Sequence, residues 1–98
     1  MTFTAQLQWI KKEFGGREHL PVVGLRPVLR IQRKVNSWLE AANGVSIQSL
    51  HFDSETWASE VVMKMIPTVT PPEEGELIEL LDGYRVIAVG KVVNTLDS

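Results

Sequence analysis

The sequence predicts an all-β domain, a sandwich or a barrel. Three observations carry that reading. Apolar and polar residues alternate in several short segments. Turn-forming residues separate those segments at short intervals. Near the end of the chain, Asp82-Gly83 lies between two apolar runs, the strongest short hairpin signal present. Ninety-eight residues make one domain, residues 1–98, with no room for a second.

The elements follow in order. In residues 2–13, Phe3, Ala5, Leu7 and Trp9 alternate with Thr2, Thr4, Gln6 and Gln8, a half-buried strand that Gly15-Gly16 ends. Leu25 to Val35 is a second strand. Leu29, Ile31 and Val35 share one face; Val28, Arg30, Gln32 and Lys34 share the other. Pro27 lacks an N–H and suits a strand start. Asn36 to Asn43 reads either as a short helix capped by Ser37 with Glu40 or as an irregular loop. Val45 to Phe52 alternates imperfectly, which predicts a bulge. Asp53-Ser54-Glu55 is a turn. Trp57 to Ile66 is a strand with Val61, Met63 and Met65 on one face. Pro67 to Pro72 is stiff and extended, ended by Pro71-Pro72. After a Glu73-Glu74-Gly75 turn, Glu76–Leu81 and Tyr84–Val93 are two strands joined at Asp82-Gly83.

At 44% hydrophobic and 22% charged, the chain has material for one small core but not for a deep, walled active-site cleft. Without cysteine it has no disulfide scaffold, thiolate metal site or cysteine nucleophile, and a reducing compartment is expected. No signal peptide opens it, and no apolar run approaches the roughly 20 residues a membrane span needs. The expectation is a cytoplasmic protein. The net charge of −2 is unevenly spread. Residues 1–50 hold seven basic groups against three acidic, +4, and residues 51–98 hold three against nine, −6.

Catalytic and metal chemistry find weak footing. His51, Asp53 and Glu55 offer a metal-like spacing, but a surface turn accounts for them. Glu73, Glu74, Glu76 and Glu79 surround a turn and then alternate along a strand, as exposed carboxylates do. Gly15-Gly16 lacks the flanking pattern of a phosphate-binding loop, and a turn with positive φ explains it. No enzyme, metal or cofactor is expected. The candidate contact surface is basic. Arg30 and Lys34 share one strand face, and Arg17 and Arg26 lie in the segment that feeds it.

That segment, Phe14 to Pro27, holds three of the seven glycines and two of the five prolines. With Gly15-Gly16-Arg17, then Pro21, then Gly24-Leu25-Arg26-Pro27, it resembles the C-terminal (third) β-barrel domain of translation elongation factor Tu. There a Gly-Gly-Arg turn, a proline and Gly-Tyr-Arg-Pro are usual. Ile66-Pro67, Glu74-Gly75 and Asp82-Gly83-Tyr84-Arg85 with Ala88, Gly90, Val92 and Val93 extend the likeness over residues 5 to 95. The resemblance implies a closed antiparallel six-stranded β-barrel, either a fragment of a larger bacterial factor or a stand-alone protein; Thr2-Phe3 after an initiator-like Met1, and an end soon after the last strand, favour the stand-alone reading. In the family, the arginine of the Gly-Gly-Arg turn and the residue after it approach the tRNA backbone. Those positions are Arg17 and Glu18 here, with His19 one place beyond the usual histidine. An acid at Glu18 does not suit a phosphate.

With no GTPase domain and no second barrel in this chain, GTP is not expected as a ligand. The expected function is a non-catalytic binding module, acting as an adaptor, a decoy or an immunity-type protein. The alternative is a translation-related RNA (tRNA-like) backbone binder. Its candidate contacts are Arg17, Glu18, His19, Arg26, Arg30 and Lys34.

Overall fold

The computed structural model describes residues 2–16, 21–31, 42–65, 72–83 and 85–96. Six strands form a closed antiparallel barrel: β1 (Thr2–Trp9), β2 (Val28–Ile31), β3 (Ala42–Phe52), β4 (Ala58–Met65), β5 (Leu77–Asp82) and β6 (Arg85–Leu96). Around the ring the order is β1-β4-β3-β2-β5-β6. The expected all-β barrel is therefore the fold. Among the described residues no helix is long and apolar enough to cross a membrane.

Alternation places the core. Phe3, Ala5, Leu7 and Trp9 of β1 are buried and meet Leu29 and Ile31 of β2, Val45 and Ile47 of β3, and Val61, Met63 and Met65 of β4. Ile78 and Leu80 of β5 and Ile87, Ala88 and Val92 of β6 complete it. A period of two along each strand sends one face inward everywhere, so closure buries every apolar face at once. The indole N–H of Trp9 donates to Ser59 Oγ at 2.6 Å inside this core, satisfying the one polar atom the ring carries there.

Three irregularities tune the wall. The register shifts between Ile47 and Ser49, so Gln48 is extra in β3, as the broken alternation predicts. A second shift leaves Ile87 extra in β6, and both Ile87 and Ala88 turn inward. A third leaves Val93 extra beside β1.

Several expected boundaries move. β1 ends at Trp9, and Lys12–Phe14 is a 3-10 turn closed by Gly15. Leu25 to Pro27 are outside β2 yet lie along β3: Ile47 N–H donates to Leu25 O and Val45 N–H to Pro27 O. Trp57 does not start β4. It sits at φ 60° in the left-handed region, where its N–H donates to Asp53 O and its carbonyl accepts from Trp9 N–H. Asp82 pairs with Arg85, so β5 runs through Asp82 and, of the expected Asp82-Gly83 turn, only Gly83 lies outside the strands. Gly83, at φ 65°, supplies the positive φ that a two-residue hairpin requires. The expected helix or loop at Asn36–Asn43 lies outside the described residues up to 41. The extended Pro67–Pro72 lies outside up to 71, and so do Val35 and Ile66.

Candidate protein-binding face

One end of the barrel collects the features that the sequence singled out. β1 and β2 are three places apart in a ring of six. The segment between them therefore leads from one side of the barrel to the opposite side.

The segment is anchored at both ends. Beyond β1, Ile10 N–H donates to Ile87 O at 2.9 Å, and the N–H groups of Phe14 and Gly16 both reach Lys11 O at 2.9 Å. The two glycines here do different work. Gly15, at φ 89°, occupies a conformation that a side chain disfavours. Gly16 has no positive φ; a Cβ there would lie 1.8 Å from Ile10 O. A positive-φ turn thus explains only the first of them, and backbone crowding explains the second. Arg85 Nη1 donates to Gly16 O at 3.3 Å, which joins the closing hairpin to this turn. The two motifs farthest apart in the resemblance therefore meet at one end of the barrel. On the far side Pro21 and Pro27 are buried, Gly24 N–H donates to Ile47 O, and Leu25 packs on the core.

Between these anchors, apolar side chains point outward. Phe14 is 76% exposed, Val22 57% and Val23 59%. Arg26 is exposed beside them in sequence. The neighbouring β3–β4 turn is held by Asp53, whose Oδ1 accepts from the N–H groups of Glu55 and Thr56. Those backbone hydrogen bonds hold its carboxyl below the ordinary range. Trp57 packs edge-on against Phe52 at 5.5 Å, and Lys11 Nζ lies 5.7 Å from the Trp57 ring centroid.

Of the six expected contact residues, two are described. Arg26 is solvent-facing on this end. Arg30 stands opposite Glu79 across β2 and β5 and is engaged by it. Arg30 Nε reaches Oε1 at 3.2 Å, and Nη2 reaches Oε1 at 3.0 Å and Oε2 at 3.1 Å. The two side chains are 19% and 13% exposed. That guanidinium is committed to the barrel wall. Arg17, Glu18, His19 and Lys34 lie outside the described residues. Sequence reasoning missed Phe14, Val22 and Val23. Their signal was an apolar residue on either side of turn glycines with no alternation to bury it.

The acidic groups have local duties. Glu76 Oε1 accepts from Glu73 N–H at 2.6 Å, closing the turn before β5, and Glu79 holds Arg30. Among the described residues, no three His, Asp or Glu side chains come together as metal ligands. At the anchored end, Lys11, Lys12, Arg26 and Arg85 are interspersed with Glu13, Asp53, Glu55 and Asp82. It is an amphipathic face of mixed charge with protruding apolar side chains. No protein-family model and no curated protein sequence matches the chain.

Proposed function

We propose that this barrel is a non-catalytic module that binds another protein through the end carrying residues 10–16 and 21–27. The observation that carries the reading is the set Phe14, Val22 and Val23, held in solvent on a segment anchored on both sides. Large apolar residues held exposed at one end of a rigid barrel suit an interaction surface. Loops fixed by a rigid scaffold lose little entropy on docking. Arg26 adds a planar cation of the kind enriched at such contacts. The mixed charge of this end suits a protein better than a phosphate backbone, whose binders present clustered cations. The proposal takes the compartment to be the cytoplasm. It keeps the likeness to the third domain of elongation factor Tu as the account of the barrel's origin, with an adaptor, decoy or immunity role.

The test is affinity capture from the native cell with the wild type and with a Phe14→Ser/Val23→Ser variant of unchanged circular dichroism. A protein retained by the first and reduced at least about tenfold on the second supports the proposal. Equal capture by both, or none by either, refutes it. A tRNA mobility shift at low ionic strength that falls steeply with salt would put RNA in the partner's place.

A further inference from the structure

A second surface lies on the barrel wall and reaches up to that end, and its pattern is independent of the reading above. The outer side of β1 is the centre of an open hollow of about 830 Å3. Two strands line it on each side, β4 and β3 on one, β6 and β5 on the other. The register makes the pattern explicit. Gln6 has Glu60 as its neighbour on β4 and Lys91 as its neighbour on β6. Gln8 has Ala58 on β4 and Val89 on β6. Next outward stand His51, beside Glu60, and Leu77, beside Lys91. Glu79, beside Val89, is neutralised by Arg30. Neither Glu60 nor Lys91 is held in an ion pair among the described residues.

In the two rows nearest β1, charge reverses across the strand at Glu60 and Lys91, and apolar residues stand on both sides at Ala58 and Val89; farther out the sides differ, with His51 on one and Leu77 and Glu79 on the other. We infer that this wall mates with a second copy of the chain, with a two-fold axis running along β1. Under that axis each residue on the β4 side meets its counterpart on the β6 side of the other copy. Glu60 then faces the other copy's Lys91, twice per dimer. Ala58 faces Val89, also twice, and His51 comes over Leu77. On the axis Gln6 meets its own copy, and so does Gln8, whose Nε2 also donates to Thr56 O of its own chain at 2.7 Å. A carboxamide carries both a donor and an acceptor and so pairs with its own kind. The hollow gives those four glutamine side chains room, and facing walls about 10 Å apart are the ordinary spacing of stacked sheets. An axis drawn across the strands between the two rows instead sets Glu60 on Ala58 and Lys91 on Val89, charge against apolar. The wall's complementarity therefore selects the axis along β1, an isologous contact that closes at two. A contact centred on three strands is smaller than a standard interface, so the association is weak and concentration-dependent.

Sedimentation of the full chain from about 10 μM to about 1 mM tests this. The wild type is expected to pass from monomer to dimer. Glu60→Lys alone sets two lysine pairs face to face, and Lys91→Glu alone sets two glutamate pairs. Each is expected to weaken dimerisation at least about tenfold. Mixed together, the two variants are expected to form a heterodimer, because each then offers the charge that the other lacks. The double variant is expected to dimerise like the wild type. Gln6→Lys, on the axis, meets its own copy and is expected to weaken the dimer, which provides a check if either charge reversal fails to fold. A wild type that stays monomeric overturns the inference. So does a dimer indifferent to these reversals, or two weakened variants that do not associate on mixing.

Discussion

Gly15 and Gly16 are adjacent and look interchangeable, yet the structure gives them different reasons to be glycine. Alanine at Gly15 enters a left-handed conformation with nothing within 4 Å of its Cβ, so its cost is conformational alone, about 1–2 kcal/mol. Alanine at Gly16 keeps an ordinary φ but brings its Cβ to 1.8 Å from Ile10 O, 2.3 Å from Ile10 C and 2.9 Å from Ile10 Cβ. The two nearest of these atoms are backbone, and Ile10 or Gly16 must withdraw by more than about 1 Å in a close-packed setting. That withdrawal pulls on Ile10 N–H···Ile87 O and on the Arg85 bond to Gly16 O. Overpacking of about 1–3 kcal/mol plus weakened hydrogen bonds brings the cost to about 3–5 kcal/mol. At about 4–8 °C per kcal/mol, Gly16→Ala lowers the melting temperature by at least about 12 °C. Urea unfolding followed by circular dichroism on both variants measures the two costs side by side. If Gly16→Ala costs no more than Gly15→Ala, the crowding argument is wrong.

Three more outcomes are expected. Arg30→Met or Glu79→Leu alone breaks a largely buried ion pair and costs about 1–3 kcal/mol, whereas the double variant recovers most of it, which a double-mutant cycle reads directly. Ser59→Ala strands the Trp9 indole N–H in the core and costs about 1–3 kcal/mol in urea unfolding, with Ser59→Thr milder. The Asp53 carboxyl is held below its ordinary value of 3.8, so its contribution is present above that value and is lost as the pH falls through the folded-state pKa. The stability difference between wild type and Asp53→Ala is therefore expected to shrink as unfolding is measured at successively lower pH below about 4.

Much of the barrel was legible because its physics is local. Phe3 to Trp9 and Val61 to Met65 each carry a clean period of two, and a strand with one buried face has no other register that buries it. The broken alternation after Ile47 announced the bulge for the same reason. What stayed hidden depends on partners distant in sequence. Arg30 looked like a free cation because Glu79 lies 49 residues away. Gly16 is the local exception: it presses on the Ile10 backbone a few residues back, but only the folded turn brings the two together. Trp57 read as a strand residue from its side chain, yet the Trp9 and Asp53 hydrogen bonds hold it at positive φ. The protruding Phe14, Val22 and Val23 break the rule by which apolar residues are assigned to a core, so they carry information only once the core is known.

The place of β1 in the ring also sets a timetable. The hairpins β2–β3, β3–β4 and β5–β6 each join neighbours in sequence, so they can zip from their own turns. β1 has no such partner. It pairs only with β4 and β6, the latter through contacts as remote as Thr2 with Leu96. Of the six strands β1 is made first yet is the last to find its place, and the barrel cannot close until β6 has been made. Until then Phe3, Leu7 and Trp9 have no wall to face. Contacts of such long range make closure slow, and while β1 is unpaired its apolar face is exposed to aggregation.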